Sequence, residues 1–350
     1  MGLIKNSSIV VFGVVVSNIL AYIFHIYVGR ALGPSEYGVF GALMAVFLLL
    51  ALPAQAISSA LTKFTSKFNS DKERGNIFYI RKKVAQRVFI YGLIILVLLI
   101  AGSKFISSYL EINSVLSIAF VGLTILFGLM LPVNRGVLQG MKKFKAYSAN
   151  TIIEAGARLV IAVVLIILGF GVNGAILAYG LGYLAAFLLI FPFIREIKEN
   201  GSSIEMKKVY RFIFLVLIFN VVFQAIINIP SIFIKHYLGA EITGFWTAAL
   251  TIARISLFVT GGITIAMFPE AAGEKDKNRR KALFIKSLVL TLLSSIFISL
   301  CFFIVGKSIV SLLYGNAYLP ALPILEWLSL AMIPLSILQL WMNYWLARRN

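Results

Sequence analysis

Ile23-Phe-His-Ile-Tyr-Val-Gly-Arg-Ala-Leu-Gly-Pro-Ser-Glu-Tyr-Gly-Val-Phe-Gly-Ala-Leu43 joins the end of one long apolar run to the start of another through a short Gly/Pro/Ser link. A degenerate copy follows 206 residues later: Leu32-Gly33, Gly38 and Ala42 fall on Leu238-Gly239, Gly244 and Ala248. The preceding runs match as well, Asn18 with Gln224 and Tyr22 with Asn228. Each copy therefore opens with a polar-striped helix. An internal repeat in an apolar chain predicts two lobes built on one plan around a central site.

Composition places the chain in the membrane. It is 60% hydrophobic with mean hydropathy +0.96 and only 13% charged, against about 25% for a soluble domain. The net charge of +19 does not point to nucleic acid, because the basic residues sit in links between apolar runs. With about 20 residues needed per helical crossing, ten spans are predicted: roughly 7–29, 38–61, 84–103, 115–138, 148–169, 174–194, 212–235, 244–268, 283–305 and 320–346. Links after even-numbered spans, such as Thr62–Lys83 and Arg195–Arg211, are rich in Lys and Arg; the others are poor. Of 32 Lys and Arg, 25 belong to the first set of links with their flanking residues (Arg87 and Lys286 included) and to the termini, four to the second set, and Arg135, Arg158 and Arg254 lie inside spans. That bias predicts both termini on the cytoplasmic side of the plasma membrane. The first run is too long for a signal peptide, and basic residues of the links, Arg81, Lys82 and Lys83 among them, suit anionic lipid headgroups. The single cysteine, Cys301, leaves no disulfide framework.

Ionisable and amide groups inside spans mark the candidate site, since they are costly against lipid and usually face a partner or a wet cavity. Arg254 sits near the middle of the eighth span with no carboxylate one turn away; Glu326 of the tenth is a candidate partner. Glu154 and Arg158 share one helix face at i, i+4. Arg135 lies near the end of the fourth span, within snorkelling reach of the surface. Asn220, Gln224 and Asn228 form an amide stripe, Asn18, Tyr22 and His25 a second, and Gln55 adds an amide on the second span. Amides also serve as interhelical glue. His25 and Glu154 are the candidates for ion coupling. The only aspartates, Asp71 and Asp276, lie in links, and no Gly-rich phosphate loop, zinc cluster or hydrolytic triad is present. Neither an enzyme nor a cofactor or metal site is expected.

With these residues in view, the sequence resembles the polysaccharide transporter or oligosaccharide flippase family of the MOP superfamily, relatives of the multidrug exporters. The resemblance is carried by Gly29–Gly38; by Arg135-Gly136-Val137-Leu138-Gln139-Gly140 with Lys143-Phe144; by Glu154, Arg158-Leu159, Leu168-Gly169 and Gly171–Ala175; and by Tyr314-Gly315, Tyr318 and Pro320-Ala321. It implies an all-α polytopic fold of two pseudo-repeated lobes, MATE-like, around a lumen open to one side at a time. The expected division is 1–200 for a six-helix lobe and 201–350 for a second lobe of four helices, incomplete beside the twelve or fourteen spans usual in the family. The implied substrate is a lipid-diphosphate-linked oligosaccharide, of polyprenyl-diphosphate type, met by Arg254, Arg158 and Arg135. Membrane lipids and a polysaccharide polymerase or glycosyltransferases are the implied partners, with no nucleic acid. Two rival functions stand beside this one: a cation-coupled multidrug exporter, which calls for a carboxylate deep in the first span that is missing here, and a non-transporting subunit of a polysaccharide assembly complex.

Overall fold

The computed structural model describes residues 2–71, 73–112, 114–194, 204–273 and 276–347, and the described residues form helices with no strand. In order they are α1 (Gly2–Leu50), α2 (Pro53–Ser70), α3 (Arg74–Ala101), α4 (Ser103–Tyr109), α5 (Val115–Gly140), α6 (Phe144–Ile167), α7 (Gly171–Leu189), α8 (Phe191–Ile194), α9 (Met206–Gly273), α10 (Lys277–Tyr314), a 3-10 turn (Asn316–Ala321) and α11 (Leu322–Ala347). Among the described residues, eight helices are long and apolar enough to cross a membrane.

Two of the eight are double. A straight helix of 68 residues, the length of α9, would run about 100 Å, three times the hydrocarbon thickness. The chain avoids this with one residue in each copy of the repeat: Gly33 (φ 73°, ψ 173°) breaks α1 and Gly239 (φ 83°, ψ −179°) breaks α9. That conformation is nearly closed to residues with a Cβ, and both glycines adopt it. Division at these points yields ten crossings among the described residues, the number the sequence predicts. A Cβ at either glycine would meet nothing within 4 Å, so its cost is conformational only. Gly33→Ala and Gly239→Ala should each destabilise by about 1–3 kcal/mol, measurable as lowered unfolding midpoints in detergent.

The second span departs from expectation. Its predicted continuous run, 38–61, is broken at Ala51-Leu52, where α1 ends and α2 begins. Pro53 is the cause, because it lacks an N–H and its ring collides with the carbonyl one turn back. The predicted basic link Thr62–Lys83 is correspondingly largely helical: α2 continues to Ser70 and α3 starts at Arg74.

The expected lobe boundary at 200/201 lies outside the described residues. By packing, the chain divides into one unit of Met1–Leu32 and Val39–Ala240 and another of Gly33–Gly38 and Glu241–Asn350. In the first unit α5 is central, packed on α2, α3 and α7, with α6 on α7. Its small residues permit close approach: Gly122 abuts Leu96, Gly136 abuts the Ser58 carbonyl and Leu61, and Gly140 abuts Thr65. The first half of α9 belongs here because its ends are tied to α3 and to the segment after it. Arg87 lies 4.0 Å over the Tyr210 ring. At the other end the His236 ring stacks on Tyr109 at 4.1 Å, and Lys235 Nζ donates to the Glu111 carbonyl at 3.3 Å.

The second unit is a three-helix assembly with hydroxyls in its interior. Helices α10 and α11 pair as an antiparallel hairpin, with Ser299 and Ser329 hydroxyls 2.7 Å apart and Phe284 against Tyr344 at 4.5 Å. Thr260 of α9 donates to Ser336 of α11 at 3.1 Å. The Gly33–Gly38 link is seated in this unit. Tyr37 is fully buried, its ring 5.7 Å from Tyr314 and 6.2 Å from Tyr318, and the Pro34 carbonyl lies against Gly244.

Candidate functional site

A charged cluster lies inside the first unit where α5, α6, α7 and α1 meet. Glu154 and Arg158, one turn apart on α6, pair at 3.2 Å through Glu154 Oε1. The other oxygen, Oε2, accepts from Arg135 Nη1 of α5 at 3.1 Å. Arg135 also donates from Nε to Asn150 Oδ1 at 2.8 Å and from Nη2 to the Asn150 carbonyl at 3.0 Å. Asn150 in turn donates to the Ala186 carbonyl of α7 at 2.7 Å. Arg135 thus turns inward rather than out to the surface within its reach, because Asn150 and Glu154 offer three acceptors one turn apart.

Arg158 faces aromatic rings. Its guanidinium carbon is 4.4 Å from the Tyr179 centroid and 5.4 Å from that of Phe24, the geometry of cation–π attraction. Phe24 and Tyr179 meet edge to face at 5.0 Å, and Tyr183 and Phe47 extend the cluster. Close approach of α7 depends on Gly182, where a Cβ would come within 3.0 Å of the Arg158 Cβ. The cluster is buried, Arg158 being 7% and Glu154 9% exposed. Two guanidiniums on one carboxylate leave a formal excess of one positive charge. Arg158 Nε is buried without a hydrogen-bond partner, a donor left unpaired at a cost of about 1–3 kcal/mol. Chemically the arrangement suits an anionic acceptor.

The structure brings together three of the residues singled out by sequence, Arg135, Glu154 and Arg158. His25 joins them through Tyr179, whose hydroxyl lies 3.2 Å from His25 Nε2. Asn18 and Tyr22 are half-buried on α1, and Gln55 is exposed on α2. The α9 amides are largely turned on their own helix: Asn220 donates to the Val216 carbonyl at 3.0 Å, and Asn228 to the Gln224 carbonyl at 2.8 Å. Arg254 is half-buried in the second unit. Sequence reasoning missed Asn150, Phe24 and Tyr179. Asn150 was within reach, since with Glu154 and Arg158 it forms an i, i+4, i+8 stripe like that of Asn220, Gln224 and Asn228. The aromatic partners come from other helices and carry no local signal.

The profile of the family described as "Polysaccharide biosynthesis protein" matches residues 27–323. The chain belongs to that family. A curated relative, the uncharacterized membrane protein MJ1375 of Methanocaldococcus jannaschii, is 24% identical over 323 residues, 87% of this chain and 75% of the relative. Among solved structures, an inward-facing multidrug resistance MATE family transporter of the MOP superfamily superposes with TM-score 0.77 at 13% identity, over 95% of this chain and 83% of the other. A MOP superfamily transporter from Pyrococcus furiosus, described as having a binding pocket of reverse polarity, gives TM-score 0.69 at 15% identity, over 98% and 84%. An outward-facing MATE transporter gives 0.68 at 14% identity. This member of the polysaccharide biosynthesis family is therefore a multi-pass membrane protein with the fold of MOP superfamily transporters.

Proposed function

We infer that the protein carries a lipid-diphosphate-linked oligosaccharide across the cytoplasmic membrane by alternating access, its basic end in the cytoplasm. The observation that carries this reading is the buried excess of positive charge at Arg135, Glu154 and Arg158, with Arg158 Nε free to donate. A diphosphate needs guanidinium donors where water is scarce, since such hydrogen bonds are charge-assisted and strengthened at low dielectric. A cationic drug would meet repulsion at the same place, which weighs against the multidrug reading. Both Glu154 oxygens are already engaged by arginines; this favours an electrostatic role for it and leaves His25 as the candidate proton carrier. Arg254 supplies a second cation from its own unit.

Reconstitution in vesicles with a fluorescent lipid-linked sugar tests the reading. The intact chain should move the sugar across the bilayer. Arg254→Ala should slow it at least about tenfold, equivalent to about 1.4 kcal/mol, with folding retained. Unchanged flipping in that variant removes Arg254 from the site; no flipping by the intact chain favours a non-transporting subunit.

A further inference from the structure

Helix α2 has two incompatible faces. Ten of its 18 residues are polar. Ala56, Ile57, Ala60, Leu61, Thr65 and Phe68 are buried, and they pack on α5 where Gly136 and Gly140 admit the α2 backbone. The opposite side is a stripe of Gln55, Ser59, Lys63 and Lys67 at four-residue spacing, exposed except for the half-buried Ser59. No apolar residue interrupts it. Lipid-facing helices of the same unit look different: on α3, Leu93 and Val97 are 43% and 57% exposed.

The stripe reaches well below the basic end. Lys63 Nζ lies 4.5 Å from the Phe212 ring of α9. Helix α9 runs parallel to α3, from Tyr210 beside Arg87 to His236 beside Tyr109, and hence antiparallel to α2. Eight residues back along α2 is Gln55, and eight residues forward along α9 is Asn220; each step is about 12 Å, so the two amides come level. Helix α5 gives the depth. Gly136, against Ser58, is four residues before the end of α5, so Gln55 and Ser59 lie level with its last two turns. Gly140, the last residue of α5, abuts Thr62 and Thr65, so Lys63 lies level with that end and Lys67 beyond it. Gln55 and Ser59 lie deeper, and their amide and hydroxyl turned unbonded to hydrocarbon would cost about 1–3 kcal/mol each, so this face is in contact with water.

We propose that the Gln55–Ser59–Lys63–Lys67 face of α2, with Asn220 of α9 level with Gln55, is the wet wall along which the phosphate- and hydroxyl-bearing headgroup of the lipid-linked substrate enters from the basic end. The proposal rests on the transport reading above. The wall joins two cations, which attract diphosphate, to amide and hydroxyl groups, which exchange hydrogen bonds with sugar hydroxyls as readily as with water. The break at Pro53 makes it possible, because it ends the apolar run of α1 and lets a helix of different polarity continue.

Cysteine accessibility tests this in the full-length protein. In a Cys301→Ser background, Gln55→Cys, Ser59→Cys, Leu93→Cys and Val97→Cys are reconstituted in phosphatidylcholine vesicles and exposed to a charged, membrane-impermeant thiol reagent from either side. Thiolate forms only where water reaches, so Gln55→Cys and Ser59→Cys should react at least about tenfold faster than the α3 pair. Polyprenyl diphosphate in the vesicles should slow their labelling about threefold or more, by occupancy of the wall. Rates at Gln55→Cys and Ser59→Cys no faster than at Val97→Cys overturn the proposal. So does protection by phosphatidylglycerol with none from polyprenyl diphosphate, which would make the stripe a site for ordinary anionic lipid. A reactive, protected stripe in a protein that flips nothing would sink the transport reading and leave the wall standing.

Discussion

Glu154→Gln should destabilise the protein more than loss of either arginine that it holds. The substitution keeps shape and hydrogen-bonding capacity but removes the one negative charge between Arg135 and Arg158, at 3.1 and 3.2 Å. Two buried guanidiniums then face each other uncompensated, and breaking a buried pair in this way costs about 3–5 kcal/mol. Arg158→Met is milder. It leaves Glu154 neutralised by Arg135, places an apolar side chain against Phe24 and Tyr179, and deletes the unpaired Nε. The double variant Glu154→Gln with Arg158→Met should recover part of the loss of the first, with a coupling of about 0.5–3 kcal/mol. Unfolding midpoints of the four proteins in one detergent decide it. Strictly additive losses would mean that the cluster is solvated and not the dry charged centre described here.

Gly244→Ala should be the most damaging single methyl in the second unit. A Cβ there would run into the Pro34 carbonyl. Backbone cannot swing aside as a side chain does, so either the Gly33–Gly38 link or α9 must shift. Overpacking of this kind costs about 1–3 kcal/mol or more, and here it would also unseat Tyr37 from Tyr314, whose hydroxyls lie 3.3 Å apart. Gly262, 18 residues further along α9, is the control. A Cβ at Gly262 meets nothing within 4 Å, and Ala there should be neutral or stabilising by up to about 1 kcal/mol from helix propensity. Limited proteolysis at the link, together with unfolding midpoints, would separate the two variants. Equal stability would show that the link is not seated in the second unit.

The sequence by itself determined the membrane class, the ten crossings and the repeat, because hydropathy and glycine act locally. A run of about 20 apolar residues must cross, and only glycine takes the backbone found at Gly33 and Gly239. It also disclosed the Glu154–Arg158 pair, a matter of helical period. Three things were decided only by tertiary structure. Arg135 turns inward because Asn150 and Glu154 of another helix offer it acceptors; its own helix carries no sign of them and leaves outward snorkelling open. The first half of α9 packs with the first unit because of rings and carbonyls at Arg87, Tyr109 and Glu111, partners over a hundred residues away in sequence. Finally, α2 was split between an apolar span and a basic link by hydropathy averaging, which adds its two faces together. Folding against α5 separates them, burying Ile57 and Leu61 and leaving Gln55 and Lys63 exposed. Which face of a helix meets water is a property of its neighbours, and a linear average cannot contain it.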